Sequence, residues 1–134
     1  GSGRSMPGSS RGGLFPFKCP PDVPDCKAFA VDSTPAQAVQ FAVLELVDRK
    51  PSLVISGINF GENTGNTVTL SGTVGAAIEA ASLDIRALAV SQQVDETAAP
   101  NARDFRAAAH FTRFFGSRLL QNTVMPHDVD VVKV

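Results

Sequence analysis

Hydrophobic positions along this chain form short continuous runs that are separated by longer segments with helical periodicity. The continuous runs predict strands that are buried on both faces, at 53–55, 87–90 and 129–134. The periodic segments predict helices at 35–48, 73–83 and 101–121. Strands that alternate with helices are typical of βαβ units, so we expect an α/β fold with a mainly parallel sheet.

Two of the predicted helices begin with capping signals. Thr34 precedes Pro35, which suits the first helical position, and Gln37 completes a capping box. Asn101 is the expected cap of the third helix, with Asp104 in its first turn.

The third predicted helix has two faces. Its polar and mostly cationic face, which we expect to be solvated, comprises Arg103, Arg106, His110, Arg113 and Ser117. Its apolar face comprises Phe105, Ala108, Thr112, Phe115 and Leu119.

Composition and charge restrict the class of protein. Hydrophobic residues make up 43% of the 134 residues and charged residues 19%, which is a globular balance. The net charge of −1 gives no reason to expect nucleic acid or an anionic membrane as a partner. No apolar run is long enough to span a bilayer, and no secretory signal pattern is present, so we expect a cytoplasmic protein. Residues 1–13 are rich in Gly, Ser and Arg and suggest a flexible leader.

The two cysteines, Cys19 and Cys26, flank a Pro-rich stretch. One disulfide across this loop is an alternative, but two free thiols in a reducing compartment are the preferred interpretation.

The loop after the first predicted strand, 56–70, is the expected ligand site, because ligands of open α/β sheets bind at the carboxyl ends of the strands. Asn59 lies just beyond the strand, and its amide oxygen suits Mg²⁺ or Mn²⁺. The alternative is that Asn59 and Asn63 are turn residues that bond to their own backbone. Composition alone favours this alternative.

The helix start at Ser71, Gly72 and Thr73 is a second candidate site. Unpaired N–H groups and the helix dipole favour an anion such as phosphate there. Ordinary helix capping by the two hydroxyls is the alternative. The loop lacks the Gly-Lys-Ser/Thr element of a P-loop.

The order of residues in this region is more specific than its composition. It reads Ser56-Gly57-Ile58-Asn59-x-Gly61-x-Asn63-x-Gly65 and then Ser71-Gly72-Thr73-Val74-x-Ala76-Ala77-x-Glu79. This string resembles the signature of the SurE family, the survival-protein 5′/3′-nucleotidases. Residues 31–36 resemble the family's Val-Asp-Gly-Thr-Pro-Ala segment, with Ser33 in place of the Gly. The resemblance is close over 29–91 and looser in the flanks.

The resemblance implies a Rossmann-like, three-layer α/β sandwich and metal-dependent hydrolysis of nucleoside 5′- or 3′-monophosphates. It implies a Mg²⁺ or Mn²⁺ ion held by an Asp pair, a Ser and an Asn. Only the Asn has a counterpart here, Asn59, and the Asn-Asp-Asp-Gly motif that carries the Asp pair is absent from the sequence. The phosphate would contact Ser56, Gly57, Asn63, Ser71, Gly72 and Thr73.

The missing carboxylates lead to two expectations. One is that residues 1–134 form a single, incomplete SurE-like domain with little activity alone, in which residues 1–13 are a remnant of the active-site loop. The complete protein would then be a homo-oligomer, a dimer or tetramer, as the resemblance implies. The other is a non-catalytic α/β interaction module that keeps the fold without the chemistry. No general base can be identified from the sequence.

Overall fold

The computed structural model describes residues 13–23, 25–61, 64–95, 97, 99, 102–121 and 128–134. The expectations for residues 1–12, for Asn63 and for the Asn101 cap lie outside this set.

In the part of the chain that the structure describes, five strands form two separate sheets. Strands β1 (Leu14–Phe17) and β2 (Ala28–Val31) pair as an antiparallel ribbon. Strands β3 (Val54–Phe60), β4 (Ala87–Gln92) and β5 (Val131–Lys133) form a parallel sheet in the order β3-β4-β5. The prediction that the segments 53–55, 87–90 and 129–134 lie parallel in one sheet is therefore confirmed.

Three α-helices accompany the strands within the described ranges. Helix α1 (Pro35–Phe41) continues into a π-helical turn (Ala42–Leu46), α2 spans Gly72–Ser82 and α3 spans Arg106–Gln121. The predicted capping box is present, since Thr34 Oγ1 accepts from the Gln37 N–H at 3.3 Å and Gln37 Oε1 accepts from the Thr34 N–H at 3.2 Å.

The parallel sheet lies between helices. On one face, the buried residues are Val74, Ala77, Ala80, Ile85, Ala87 and Ala89, which belong to α2, β4 and the turn that joins them. On the other face, Ala108 and Leu119 of α3 pack with Leu88 and Val90 of β4. Helix, sheet and helix make three layers, so the predicted Rossmann-like α/β architecture is confirmed.

The alternation of strands and helices predicts that the helices at 35–48 and 73–83 both lie against the sheet, but helix α1 packs mainly against α2 instead. Its Val39 and the following Val43 reach the core around α2, because the small side chains of α2 leave them room. Across this contact Gln40 Nε2 donates a hydrogen bond of 2.6 Å to Glu79 Oε1.

The start of α3 differs from the prediction by five residues. The helix begins at Arg106 rather than at 101, because the Asp104 carboxylate accepts from the Arg106 N–H at 2.9 Å. The Gln92 side-chain oxygen accepts from the Ala108 N–H at 2.9 Å, so β4 satisfies a second donor of the first turn. Arg103 consequently lies outside the helix.

The preferred interpretation of two free thiols is wrong in this structure. Cys19 and Cys26 form a disulfide, with Cα atoms 5.9 Å apart. The antiparallel pairing of Phe17 with Ala28 explains this contact, because Cys19 and Cys26 are each two residues beyond that pair and face each other across the ribbon. In the part of the chain that the structure describes, no helix combines the length and apolar character needed to cross a membrane.

Candidate functional site

The carboxyl edge of the parallel sheet brings together the two segments singled out in the sequence. Asn59, near the end of β3, pairs with Ser91, near the end of β4. Helix α2 is the crossover from β3 to β4, so its start at Ser71 lies at the same edge. A short 3-10 helix (Gly65–Leu70) leads directly into it.

Strand β3 continues further than predicted because it contains a bulge. Ser56 pairs with Ala89 and Asn59 with Ser91, so two residues of β3, Gly57 and Ile58, lie opposite Val90 alone. Gly57 has a φ of +131°, and a Cβ atom there would lie 2.4 Å from the Val90 carbonyl oxygen. The peptide bond between Gly57 and Ile58 is cis. The segment 56–60, interpreted as loop from the sequence, is therefore strand, and the bulge sets the direction of Asn59.

The two atoms of the Asn59 side-chain amide have different surroundings. Its Nδ2 donates to the carbonyl oxygens of Phe60, at 3.0 Å, and of Gly61, at 2.9 Å. The amide thus makes the local backbone bonds of a turn residue. Its Oδ1 accepts no hydrogen bond from any residue that the structure describes. The turn contacts and a ligand role for the oxygen are compatible, because they use opposite ends of the amide.

Ser71 caps α2. The residue is 8% exposed, and its Oγ accepts from the Val74 N–H at 3.2 Å. The Gly75 N–H then donates to the Ser71 carbonyl at 2.8 Å, which closes the first helical turn. The N–H groups of Gly72 and Thr73 precede that bond and have no partner within the helix. The cap therefore uses Ser71 Oγ only as an acceptor. It does not use the N–H groups of Gly72 and Thr73 or the hydrogen of the Ser71 hydroxyl.

The sequence did not predict that an aromatic and cationic group lies beside Asn59. Phe60 is 60% exposed, and its ring stacks on Phe105 with centroids 5.5 Å apart. Arg103 Cζ lies 5.1 Å from the Phe60 centroid. The sequence had assigned Arg103 and Phe105 to opposite faces of one helix. The sequence signal for the observed start of α3 is Asp104. The prediction puts Asp104 in the first turn of the helix, whereas the structure has it before that turn.

The two arginines near the start of α3 differ in their partners. Arg106 Nη2 lies 2.6 Å from Asp104 Oδ2, and the Arg106 side-chain hydrogen bond lowers the pKa of Asp104 from 3.8 to about 2. Arg103 forms no ion pair with a described residue. Its Nε is buried and has no hydrogen-bond partner among those residues. Among the described residues, Arg106 therefore has a local counter-charge and Arg103 does not.

The potential metal ligands of the site suit a hard cation only in part. Asn59 Oδ1 is a suitable neutral ligand for Mg²⁺ or Mn²⁺. Among residues 13–134, apart from those the structure does not describe, no three His, Cys, Asp or Glu side chains cluster closely enough to bind a metal. A single amide oxygen holds a divalent ion only weakly, so the described residues do not form a complete metal site.

A parallel sheet between helices, with polar groups gathered at its carboxyl edge, defines an α/β domain of the Rossmann-like class. Comparison with known proteins is more specific. The family model described as "Survival protein SurE" matches residues 7–134. The chain belongs to the SurE family, and the resemblance stated from the loop and helix motifs is confirmed.

Individual relatives agree with this assignment. The protein named 5′-nucleotidase SurE of Methanosphaera stadtmanae is 39% identical over 116 residues, which cover 79% of this chain and 43% of that protein. The same-named protein of Methanothermobacter thermautotrophicus is 43% identical over 113 residues, which cover 80% of this chain and 43% of the relative.

A solved structure is similar as well. The crystal structure of the SurE protein from Aquifex aeolicus superposes with a TM-score of 0.70 at 30% identity, over 98% of this chain and 49% of that chain. The chain therefore spans less than half the length of each of these three relatives.

Proposed function

We propose that this chain provides the phosphate-binding part of a metal-dependent phosphatase that hydrolyses nucleoside 5′- or 3′-monophosphates. The observation that carries the proposal is that Asn59, near the end of β3, and the start of α2, where two N–H groups have no partner within the helix, lie at the same edge of the sheet. The relatives named 5′-nucleotidase SurE support the nucleotide as substrate.

In this proposal the phosphate lies at the start of α2. The N–H groups of Gly72 and Thr73 and the Ser71 hydroxyl donate to its oxygens, and the helix dipole favours its charge. Ser56 and Gly57 line the strand side of the site, and Asn63, which lies outside the described residues, is a further proposed phosphate contact. Donors fixed in this way stabilise the charge that develops on the phosphoryl oxygens in the transition state.

Asn59 is proposed as one ligand of a Mg²⁺ or Mn²⁺ ion. Such an ion, when bound, supplies Lewis-acid stabilisation of the phosphate charge. The remaining ligands have to come from carboxylates that the described residues do not bring to the site. We therefore expect little or no turnover of a nucleoside monophosphate by the 134-residue chain with Mn²⁺. Turnover at ordinary enzyme rates would contradict this division of the site.

Phosphate binding by the chain tests the helix start directly. Inorganic phosphate should shift the amide NMR signals of Gly72 and Thr73 in a saturable titration. Gly72→Val should weaken that binding on the order of tenfold, because a branched side chain obstructs the anion. Thr34→Ala is the matched control, since it removes the cap of α1 and should cost about 1 kcal/mol of stability without changing phosphate binding. If folded Gly72→Val binds phosphate as tightly as the parent, the helix start is only structural.

The metal ligand has its own test. Weakly bound Mn²⁺ broadens NMR signals near its site, and we expect this broadening around Asn59. Asn59→Ala should abolish it, because the amide oxygen is lost, whereas Asn59→Asp should retain it. Asn66→Ala, in the 3-10 helix that follows, is the control amide. Equal broadening in the parent and in Asn59→Ala would mean that Asn59 is only a turn residue.

A non-catalytic α/β interaction module is the second candidate. It is favoured by the lack of a metal-ligating cluster among the residues that the structure describes. An Asp-Asp pair encoded upstream in the same gene would favour the phosphatase, and a gene without one would favour the module.

A further inference from the structure

We propose that Phe60, Phe105 and Arg103 form a stacking platform for the nucleobase of the substrate. This inference, which names the part of the ligand that the platform recognises, rests on the proposed function. These three residues constitute the Phe60 platform.

The position of the platform follows from the end of β3. Phe60 is the residue after Asn59, so its ring lies at the same sheet edge as the proposed phosphate and metal contacts. Phe60 is 60% exposed, so apolar area remains there for a ligand to cover. Phe105 stacks against Phe60 with ring centroids 5.5 Å apart, and Phe60 keeps its 60% exposure with this contact in place.

Arg103 adds charge of the appropriate sign. Its guanidinium carbon lies 5.1 Å from the Phe60 centroid, which is a cation–π distance. Unlike Arg106, it makes no ion pair with a described residue, and its buried Nε has no hydrogen-bond partner among them. A buried donor without a partner is uncommon in native proteins. An anionic ligand with a flat ring would provide both a stacking surface and a counter-charge.

Gln92 holds the platform in place. Its backbone pairs with Phe60 in the sheet, and its side chain donates to the Asp104 carbonyl and accepts from the Ala108 N–H. Asp104, which lies between Arg103 and Phe105, and Ala108, three residues after Phe105, are thereby tied to the end of β4. A preorganised stacking surface binds with a smaller entropic cost than a mobile loop.

The chemistry selects a nucleobase as the occupant. Aromatic rings and guanidinium groups stack on any nucleobase. Replacing a stacking aromatic residue by alanine weakens binding by about 1–3 kcal/mol per base. Steering by Arg103 suits the phosphate attached to such a base. The Phe60 platform therefore fits a nucleoside monophosphate better than a phosphomonoester without an aromatic group.

The test separates the base from the phosphate. Adenosine carries no phosphate, inorganic phosphate carries no base, and the two are titrated separately into the 134-residue chain by NMR. Phe60→Ala should weaken adenosine binding on the order of 5- to 150-fold, the range that stacking of this strength gives, and leave phosphate binding unchanged. Phe60→Leu retains packing against Phe105 without the π face, and it serves if Phe60→Ala does not fold.

Phe114→Ala is the matched control. Phe114 is 40% exposed and lies under Arg118, whose Cζ is 3.4 Å from the ring centroid. It is eight residues beyond Arg106, and therefore about 12 Å further along α3. Its loss should not affect either ligand.

The outcomes are distinct. Selective loss of adenosine binding in the Phe60 variants, with Phe114→Ala unaffected, supports the platform. If the parent binds phosphate at α2 but does not bind adenosine, or binds it equally in parent and Phe60 variants, the platform is rejected and the proposed function survives. If the parent binds neither ligand, both proposals are rejected.

Discussion

Gly57 provides the sharpest test of the geometry of the site. The bulge places its Cα against β4, and the Cβ of an alanine would lie 2.4 Å from the Val90 carbonyl oxygen, whereas ordinary contact begins at 3.4 Å. The two strands must therefore separate locally by about 1 Å, and overpacking of this kind costs about 1–3 kcal/mol. A φ of +131° adds about 1–3 kcal/mol of backbone strain for a residue with a Cβ. We expect Gly57→Ala to lower the free energy of unfolding by about 4 kcal/mol.

Gly61→Ala is the control for backbone strain. Its φ is also positive, at +87°, but an added Cβ meets nothing within 4 Å. The difference between the two variants therefore reports the contact with Val90, and we expect it to be about 1–3 kcal/mol. Urea unfolding followed by circular dichroism is the assay, because the sequence has no Trp and no Tyr. Equal destabilisation within about 0.5 kcal/mol would refute the close approach of Gly57 to Val90.

Three further predictions concern stability. Ser71→Ala should lower the free energy of unfolding by about 1 kcal/mol in urea, since the N–H that it caps loses its acceptor, and an unchanged midpoint would contradict the cap. Reduction of the Cys19–Cys26 disulfide, which has a sequence separation of 7, should cost about 2–3 kcal/mol, measured with and without reductant. The pKa of Asp104 is lowered from 3.8 to about 2 in the folded state. The pairing of Asp104 with Arg106 therefore contributes fully to the free energy of unfolding above pH 3.8, and this contribution is lost as the pH falls through about 2. An NMR titration midpoint of Asp104 near 3.8 would refute that pairing.

The fold was largely predictable because its signals are local. Continuous apolar runs identified the three parallel strands, and Thr34 with Gln37 identified the start of α1. The end of β3 was not predictable, because Gly57 ordinarily marks a turn and only its fit against Val90 allows the strand to continue. The disulfide depends on the pairing of β1 with β2, which the spacing of the cysteines does not encode.

The site was predictable only where its residues are close in sequence. Asn59 and the start of α2 are part of one connected motif and could be identified together. Arg103 reaches Phe60 from more than 40 positions away, through the end of β4 and the first turn of α3. Periodicity assigned Arg103 to a solvated helix face, and that interpretation was wrong because the side chains of Asp104 and Gln92 fix where α3 begins.

The core has an unusual composition with consequences for sequence change. Among the described residues, seven of the twelve buried hydrophobic positions are alanines: Ala36, Ala76, Ala77, Ala80, Ala87, Ala89 and Ala108. Truncation to a smaller apolar side chain is hardly available at such positions, so nearly every substitution enlarges the side chain. Enlargement forces the helix away from the sheet and costs about 1–3 kcal/mol. A saturation mutagenesis library would therefore tolerate little at these alanines, and the inner face of α2 would diverge more slowly in evolution than a leucine-rich core.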